Sequence, residues 1–227
     1  MKLAFDADGP VAVTDAPWAD PLDKREWVVR EIPHREAVEF IAQHHYARGA
    51  ANTSVARYGL YHQGGGELLG AVIYMPPPGQ AAKAADPRHP ERVLALSRLA
   101  IAPEAPRNAA SHLISRSVRL LPERYETIAT WADTARGHVG TVYQAANWRY
   151  HGQTAPQPMF RDANGVMVSR KRGPKTYTVN EMLAMGYQLV GRYARHKYVA
   201  RRRDMHTRPD RPYPKRHPTL FTGAPQP

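Results

Sequence analysis

Four side chains in the middle of this 227-residue chain have the types and spacing for group-transfer chemistry. Asp133 stands where a β-branched and aromatic segment, Thr127 to Trp131, should end. A carboxylate there can accept a proton or hydrogen-bond an amine, and it can equally cap the turn toward Gly137. Tyr143 lies one turn into the helix that follows. A phenol within hydrogen-bond reach of a leaving group serves as a general acid; buried aromatic packing is its ordinary alternative. Arg98 interrupts the apolar run VLALSRLAIAP. An unpaired charge is costly inside such a strand, so Arg98 must pair with a buried carboxylate or face a ligand, and Asp133 on the neighbouring strand is the expected partner. Ser111 closes the loop Pro106-Arg107-Asn108-Ala109-Ala110-Ser111, which leads into a helix. Small residues at a helix N-terminus leave backbone N–H groups free to cradle a pyrophosphate. The plainer reading is that Asn108 or Ser111 caps the helix.

These residues need elements to hold them. The run ending at Pro103 suits a buried strand, because proline cannot continue the ladder. Ser111, Leu113, Ile114, Val118 and Leu121 recur at helical spacing. The strand at Thr127, a turn over Thr134–Gly140 and a helix to Trp148 follow, so the central unit is strand, helix, strand, helix. Ahead of it the pattern predicts a strand at Trp27–Ile32 and a helix from Arg35 to His45, leaving His44, His45 and Tyr46 at its end. Next come two strands, Arg57–Tyr61 and Glu67–Tyr74, around a glycine turn, and a loop over Gln80–Glu91. Behind it, Tyr150–Thr154 and Val166–Arg170 read as a hairpin crossing Asp162–Gly165. Thr178–Met185 reads as a short helix with a capping box, and Tyr187–Val190 and Tyr193–Val199 as the strands that finish the sheet. Residues 1–24 read as an irregular lead-in, 25–200 as one catalytic domain and 201–227 as a basic, proline-rich tail that orders only on a partner. The fold class is α+β, with a mixed, mostly antiparallel twisted sheet flanked by helices. Its element order is similar to that of the GNAT acetyltransferases, which bind acyl-coenzyme A at the splayed centre of a mixed sheet.

Composition narrows the partners. With 32 Lys+Arg against 20 Asp+Glu the formal charge is +12, a balance that favours a polyanion. Arg195, Lys197, Arg201, Arg202 and Arg203 are the expected phosphate contacts, with Tyr193, Tyr198 and Tyr213 interleaved for stacking on bases; a merely solvated tail is the alternative. There is no cysteine, which excludes disulfides and thiolate metal sites and suits the cytoplasm. No apolar run reaches the roughly 18 residues of a membrane span.

His45-Tyr46, Leu96-Ser97-Arg98-Leu99, Asn108, Ser111, Ala132-Asp133, Gly137-His138, Gly140, Tyr143-Gln144-Ala145 and Asn147-Trp148, with Tyr150 and Gly152, occur in one order. Over His45 to Gly152 the chain resembles the Mom family of phage DNA-modification proteins. The resemblance implies a GNAT-like enzyme that converts the adenine N6 amine in DNA to N6-carbamoylmethyl-adenine, in the cytoplasm of an infected cell, and shields phage DNA from restriction. It places activity on Tyr46, Arg98, Ser111, Asp133 and Tyr143, and coenzyme phosphates (acetyl-CoA or a related acyl-CoA) on Arg107, Asn108, Ala109, Ala110 and Ser111. It also raises iron, for which His44, His45, Tyr46, Asp133 and His138 are the available ligands and His45 and Tyr46 the first candidates, although no HxH or HxD spacing occurs here. Double-stranded DNA is the expected partner; a homodimer is an open question and a membrane is not expected. Tyr46, Trp131 and Trp148 would wall an extruded base. The rival readings are an ordinary acetyltransferase of proteins, transfer RNA or small amines, and a nucleic-acid-binding module without chemistry.

Overall fold

The structure is a computed structural model, and it describes residues 3–6, 9–12, 21–45, 53–64, 66–173, 175–203 and 211–215, the first two stretches as backbone alone. Tyr46 lies outside the described residues.

β1 (Leu3–Asp6) and β2 (Gly9–Ala12) form a hairpin of their own, so the start of the chain is not wholly irregular. Seven strands form the main sheet: β3 (Trp27–Glu31), β4 (Ala56–His62), β5 (Leu68–Met75), β6 (Val93–Ile101), β7 (Thr127–Asp133), β8 (Arg149–Gln153) and β14 (Arg195–Arg201). Their order across it is β3-β4-β5-β6-β7-β14-β8. Every neighbouring pair is antiparallel except β6 with β7. β9 (Gln157–Arg161), β10 (Met167–Ser169) and β13 (Gln188–Tyr193) make a small separate sheet, and β11 (Lys171–Arg172) with β12 (Lys175–Thr176) a short ribbon.

Both faces of the main sheet are covered, which is why β5 reads as a nearly unbroken apolar run. Tyr58 and Tyr61 lie three apart on β4 and so point to opposite faces. The Tyr58 hydroxyl donates to the Leu120 carbonyl at the end of α3 (Ala109–Leu120), and the Tyr61 hydroxyl to Glu36 of α1 (His34–His44). α1 buries Ala37, Phe40 and Ile41, and α3 buries Leu113, Ile114, Ser117 and Val118, each set at the three-and-four spacing of one helical face. Fully burying a Leu or Ile side chain stabilises the fold by about 1.5–3 kcal/mol.

Four sequence expectations change. Gln80–Glu91 is not a loop: α2 (Gly79–Ala85) occupies its first half, because Gln-Ala-Ala-Lys-Ala-Ala is strongly helix-forming and Pro78 is tolerated as the cap before it. The hairpin across Asp162–Gly165 joins β9 to β10, whereas β8 pairs with β14. Gln188–Tyr193 joins β9 and not the main sheet. Finally, part of the tail is docked: the Tyr213 hydroxyl donates to the Trp148 carbonyl at 2.9 Å, and Gln144 Nε2 reaches the Pro214 carbonyl at 3.3 Å. The capping box of α5 (Val179–Ala184) forms as expected, with Thr178 and Glu181 exchanging hydrogen bonds.

The turn into α4 (Thr141–Ala145) depends on Gly140, which has φ +74 and abuts the Tyr198 and Tyr143 rings. A β-carbon there would overlap the Tyr198 ring and occupy a strained backbone region. Gly140→Ala is expected to lower unfolding free energy by about 2–4 kcal/mol, read as a fall in the urea midpoint with an unchanged m-value; an unshifted midpoint contradicts this packing.

Candidate active site

β6 and β7 pair at only three positions, Val93↔Thr127, Leu94↔Ile128 and Ala95↔Ala129, although β6 continues to Ile101 and β7 to Asp133. Beyond Ala95 and Ala129 they part. On its other edge β6 carries one extra residue against β5, since Ile73 faces Arg98 while Tyr74 faces Leu96. Ser97 is therefore bulged, and a bulge bends its strand and re-aims the side chains beside it. Across the gap, the Thr130 hydroxyl donates to the Leu96 carbonyl at 3.2 Å, in place of a ladder bond.

The parting opens a cavity of about 60 Å³ whose polar lining includes His45, Ser97, Arg98, Asp133, His138 and Tyr143. Arg98, Asp133 and Tyr143 thus converge as the sequence suggests. The expected Arg98–Asp133 ion pair does not form among the described residues. Arg98 Nη1 donates to the Ser97 carbonyl at 2.7 Å, a group the bulge turns toward it. The Asp133 carboxylate instead accepts from the Ala135 amide at 3.0 Å, capping a 3-10 turn over Thr134–Arg136. Both readings of Asp133 hold at once: it caps the turn and lines the cavity. Tyr143, on α4, is buried with its ring 5.5 Å from those of Trp148 and Tyr198. Trp148 is itself fully buried behind it, so of the aromatic walls expected for a base only Trp131 lines the cavity among the described residues.

His45 caps the C-terminus of α1, and His138 follows the Asp133 turn, its amide donating to the Asp133 carbonyl. Burial pushes the His45 imidazole down to about 4, helped by the charges of Arg98 and Arg136 and by His138. Among the described residues no three His, Cys, Asp or Glu side chains gather as metal ligands. The described donors thus give no support for an iron site, and Tyr46, the other expected ligand, lies outside them.

Ser111 is not in this cavity. It lies in the first turn of α3, where its hydroxyl donates to the Asn108 carbonyl at 3.0 Å. Asn108 precedes the helix at φ 69 and makes no side-chain cap. Both residues line a second, larger cavity of about 370 Å³ between α3 and the end of α4, with Lys24, His112, Arg116 and Arg119. His112 is buried there, its Nε2 without a hydrogen-bond partner among the described residues, and burial followed by the charges of Arg116 and Lys24 pushes its imidazole to about 4. Three cations, small residues and a helix N-terminus suit an anionic ligand. Ala109 is buried, Ala110 half-buried and Arg107 exposed, and the Arg107 carbonyl accepts the Leu22 amide at 3.1 Å. Sequence reasoning misses Lys24, Arg116 and Arg119, although Ser111, Ser115 and Arg119 share one face at helical spacing.

The basic run is divided. Arg195 pairs with Asp133 in the β14 register and is exposed at the cavity end of the strand, whereas Arg201 pairs with Thr127 at the other, about 20 Å away at the rise of a strand. Lys197 donates to the Ala84 carbonyl, Arg201 lies 3.9 Å from buried Asp86, and Arg202 donates to the Arg119 carbonyl. Lys197 and Arg202 are thus engaged on the protein, while Arg195, Arg201 and Arg203 are exposed, Arg201 with Asp86 beside it.

Two imidazoles held uncharged have a sign for stability. In the pH window from about 6.5 down to about 4 the unfolded histidine binds a proton that the folded one refuses, so stability is full above the upper value and falls as pH drops through the window. NMR titration is expected to place His45 and His112 near 4; midpoints near 6.5 for both would show them exposed.

A profile of the Mom protein family matches residues 26–215. The methylcarbamoylase Mom of Escherichia phage Mu is 29% identical over 138 residues, 56% of this chain and 50% of that protein, so the match spans about half of that relative's length. Among solved structures, spermidine N-acetyltransferase from Vibrio cholerae in complex with CoA and spermine superposes with a TM-score of 0.48 at 10% identity, over 81% of this chain and 100% of that one. An N-acetyltransferase from Staphylococcus aureus Mu50 gives 0.45 at 11% identity, over 78% and 98%. With most of its length matched by one family profile, the chain belongs to the Mom protein family.

Proposed function

We propose that this protein modifies DNA, transferring a small group from a coenzyme-A-type donor to the N6 amine of adenine and giving N6-carbamoylmethyl-adenine; the name of its phage Mu relative, a methylcarbamoylase, supports transfer of such a group, and the adenine N6 target is what the Mom-family resemblance implies. The observation that carries this reading is the gap between β6 and β7, which brings Arg98, Asp133 and Tyr143 to one cavity. The charge of +12 supports a polyanionic substrate.

Adenine N6 is conjugated with its ring and is a weak nucleophile, so holding it beside the donor matters more than a strong base. Asp133 accepts one N6 hydrogen and orients the lone pair. Neutral His45 offers a second acceptor in the same cavity. The donor, when bound, supplies a carbon activated by its bond to sulfur. With a donor bound, Tyr143 would stand to give its phenolic proton to the thiolate released as the donor's carbon–sulfur bond gives way to the new N6–carbon bond, and Asp133 would pass the N6 proton to water; because the carbon joined to N6 is the one released from sulfur, the carbamoylmethyl product requires a donor whose CH₂–CO–NH₂ group is already joined to sulfur. Arg98, fixed on the Ser97 carbonyl, holds a positive charge beside the negative charge that develops. Lys24, Arg116 and Arg119, with the N-terminus of α3, would hold the donor's phosphates in the 370 Å³ cavity. We place the activity in an infected host cell, where the altered bases would resist restriction.

Mass analysis of nucleosides from DNA co-expressed with the protein is expected to show modified deoxyadenosine, reduced roughly 10²–10⁴-fold by Tyr143→Phe. Unmodified deoxyadenosine beside abundant folded protein would sink the proposal. Separately, Arg116→Glu with Arg119→Glu is expected to weaken coenzyme A binding about tenfold or more by calorimetry and leave duplex affinity within about twofold, since the coenzyme's phosphates are the charges these arginines face. Unchanged coenzyme binding would move the donor elsewhere.

A further inference from the structure

Between β8 and β14, which pair in the main sheet, the chain makes an excursion through residues 154–194, which fold into the β9-β10-β13 sheet, the β11-β12 ribbon and α5. This insertion has a small interior, with Phe160 and Met182 fully buried. Its root is fixed at the rim of the cavity. The Thr134 hydroxyl, one residue past Asp133, donates to the Ala194 carbonyl at 2.6 Å, and Thr154 and Arg195 exchange two hydrogen bonds at 3.0 Å. From that root β9 and β13 run outward through five paired positions, Tyr193↔Gln157 to Gln188↔Arg161. At the rise of a strand this is an arm of about 15 Å, or roughly five base pairs at about 3.4 Å each.

Two independent features mark its surface. It carries six cations against two acids, a net charge of +4; Arg170, Arg172 and Lys175 are engaged within the arm, while Arg161, Lys171 and Arg192 are exposed. Both acids serve the arm's own turns: Asp162 accepts the Asn164 and Val166 amides, and Glu181 closes the capping box and takes Lys175. Of the seven large hydrophobic residues that are exposed among the described ones, five belong to the arm: Val166, Leu183, Met185, Leu189 and Val190. Cations interspersed with exposed Leu, Met and Val are the chemistry by which proteins track phosphates and wedge apolar groups against base steps.

We propose that residues 154–194 are the duplex-gripping arm of the enzyme, holding the DNA beside the base presented to the Asp133–Tyr143 cavity. The inference rests on the DNA reading above and names the surface that makes it work. Arg161, Lys171 and Arg192 take phosphates, and the α5–β13 corner carrying Leu183 and Met185 lies against the opened stack.

The test compares the full chain with Arg161→Glu, Lys171→Glu and Arg192→Glu together, and with Leu183→Ser plus Met185→Ser. Binding to a 20-base-pair duplex carrying 2-aminopurine at the target position is followed by anisotropy and by base fluorescence. The charge reversal is expected to weaken binding at least tenfold and to flatten the salt slope by up to about three, near 0.9 for each phosphate no longer neutralised. The apolar pair is expected to bind within a few fold of the unaltered chain but to lose the fluorescence rise of an unstacked base. Arg161→Lys with Arg192→Lys is expected to keep binding within a few fold of the unaltered chain, and coenzyme A affinity reports that each variant is folded. Wild-type affinity in the charge-reversed protein, with adenine modification intact, overturns the arm and leaves the enzyme reading standing. So does a dimer that becomes monomeric only in the apolar pair, since a second copy then covers this face. An unaltered chain that neither binds duplex nor modifies adenine overturns the function itself.

Discussion

The site exists because a hydrogen-bonded ladder stops. Two parallel strands joined along their length leave no room between them, and the loss of pairing beyond Ala95 and Ala129 leaves backbone groups that need other partners. Thr130 takes the Leu96 carbonyl and Arg98 takes the Ser97 carbonyl, so both groups at the parting are satisfied by side chains from the same two strands. Leaving one such buried acceptor unpaired costs about 1–3 kcal/mol. Arg98 therefore holds the gap open as well as charging it.

The outer partners of the parted strands make this tolerable. β5 remains paired along β6 to Ile101, and β14 along β7 to Asp133, so each strand stays in a ladder on one edge while the other edge faces the cavity. The last of the described strands is thus the one that secures the reactive end of β7. The gap is reached from both layers: His45 comes from the end of α1 on one face of the sheet, and Tyr143 from α4, which packs with α3 on the other. In the proposed reaction donor and acceptor approach from opposite faces and meet where the strands part.

Much of this was legible from residue types. The helical spacing of Leu113, Ile114 and Val118, the apolar β6 and the capping box at Thr178 each record a local preference, and each element formed. The need for Arg98 to find a partner was also legible, but the partner was not, because the Ser97 bulge is a matter of register between β5 and β6 and leaves no local mark. The same limit hid the place of β14 between β7 and β8, which depends on pairing across some 60 residues and on an insertion that reads from sequence as ordinary hairpins. Family resemblance groups Ser111 with Asp133 and Tyr143, whereas the fold gives it to the neighbouring cavity with Arg116 and Arg119. A run of cations looks like one patch in a sequence; as a strand it becomes two ends about 20 Å apart, with Lys197 between them engaged on the Ala84 carbonyl.

The charges around the cavity argue for an amine as the group that is acted upon. Burial and the guanidinium groups of Arg98 and Arg136 keep the His45 imidazole uncharged at neutral pH, so its ring nitrogens offer an acceptor as well as a donor. A cavity meant only to bind an anion would gain from a protonated histidine, and this one discourages it. Asp133, already holding the Ala135 amide, keeps lone pairs for a further donor. An acceptor imidazole, a carboxylate and a phenol able to donate, all lining one cavity, suit a neutral N–H₂ group that must lose a proton while its partner's leaving group gains one. The fixed guanidinium of Arg98 then favours charge that appears during the reaction over charge brought in by the substrate, which is the condition for accelerating the step instead of merely tightening binding.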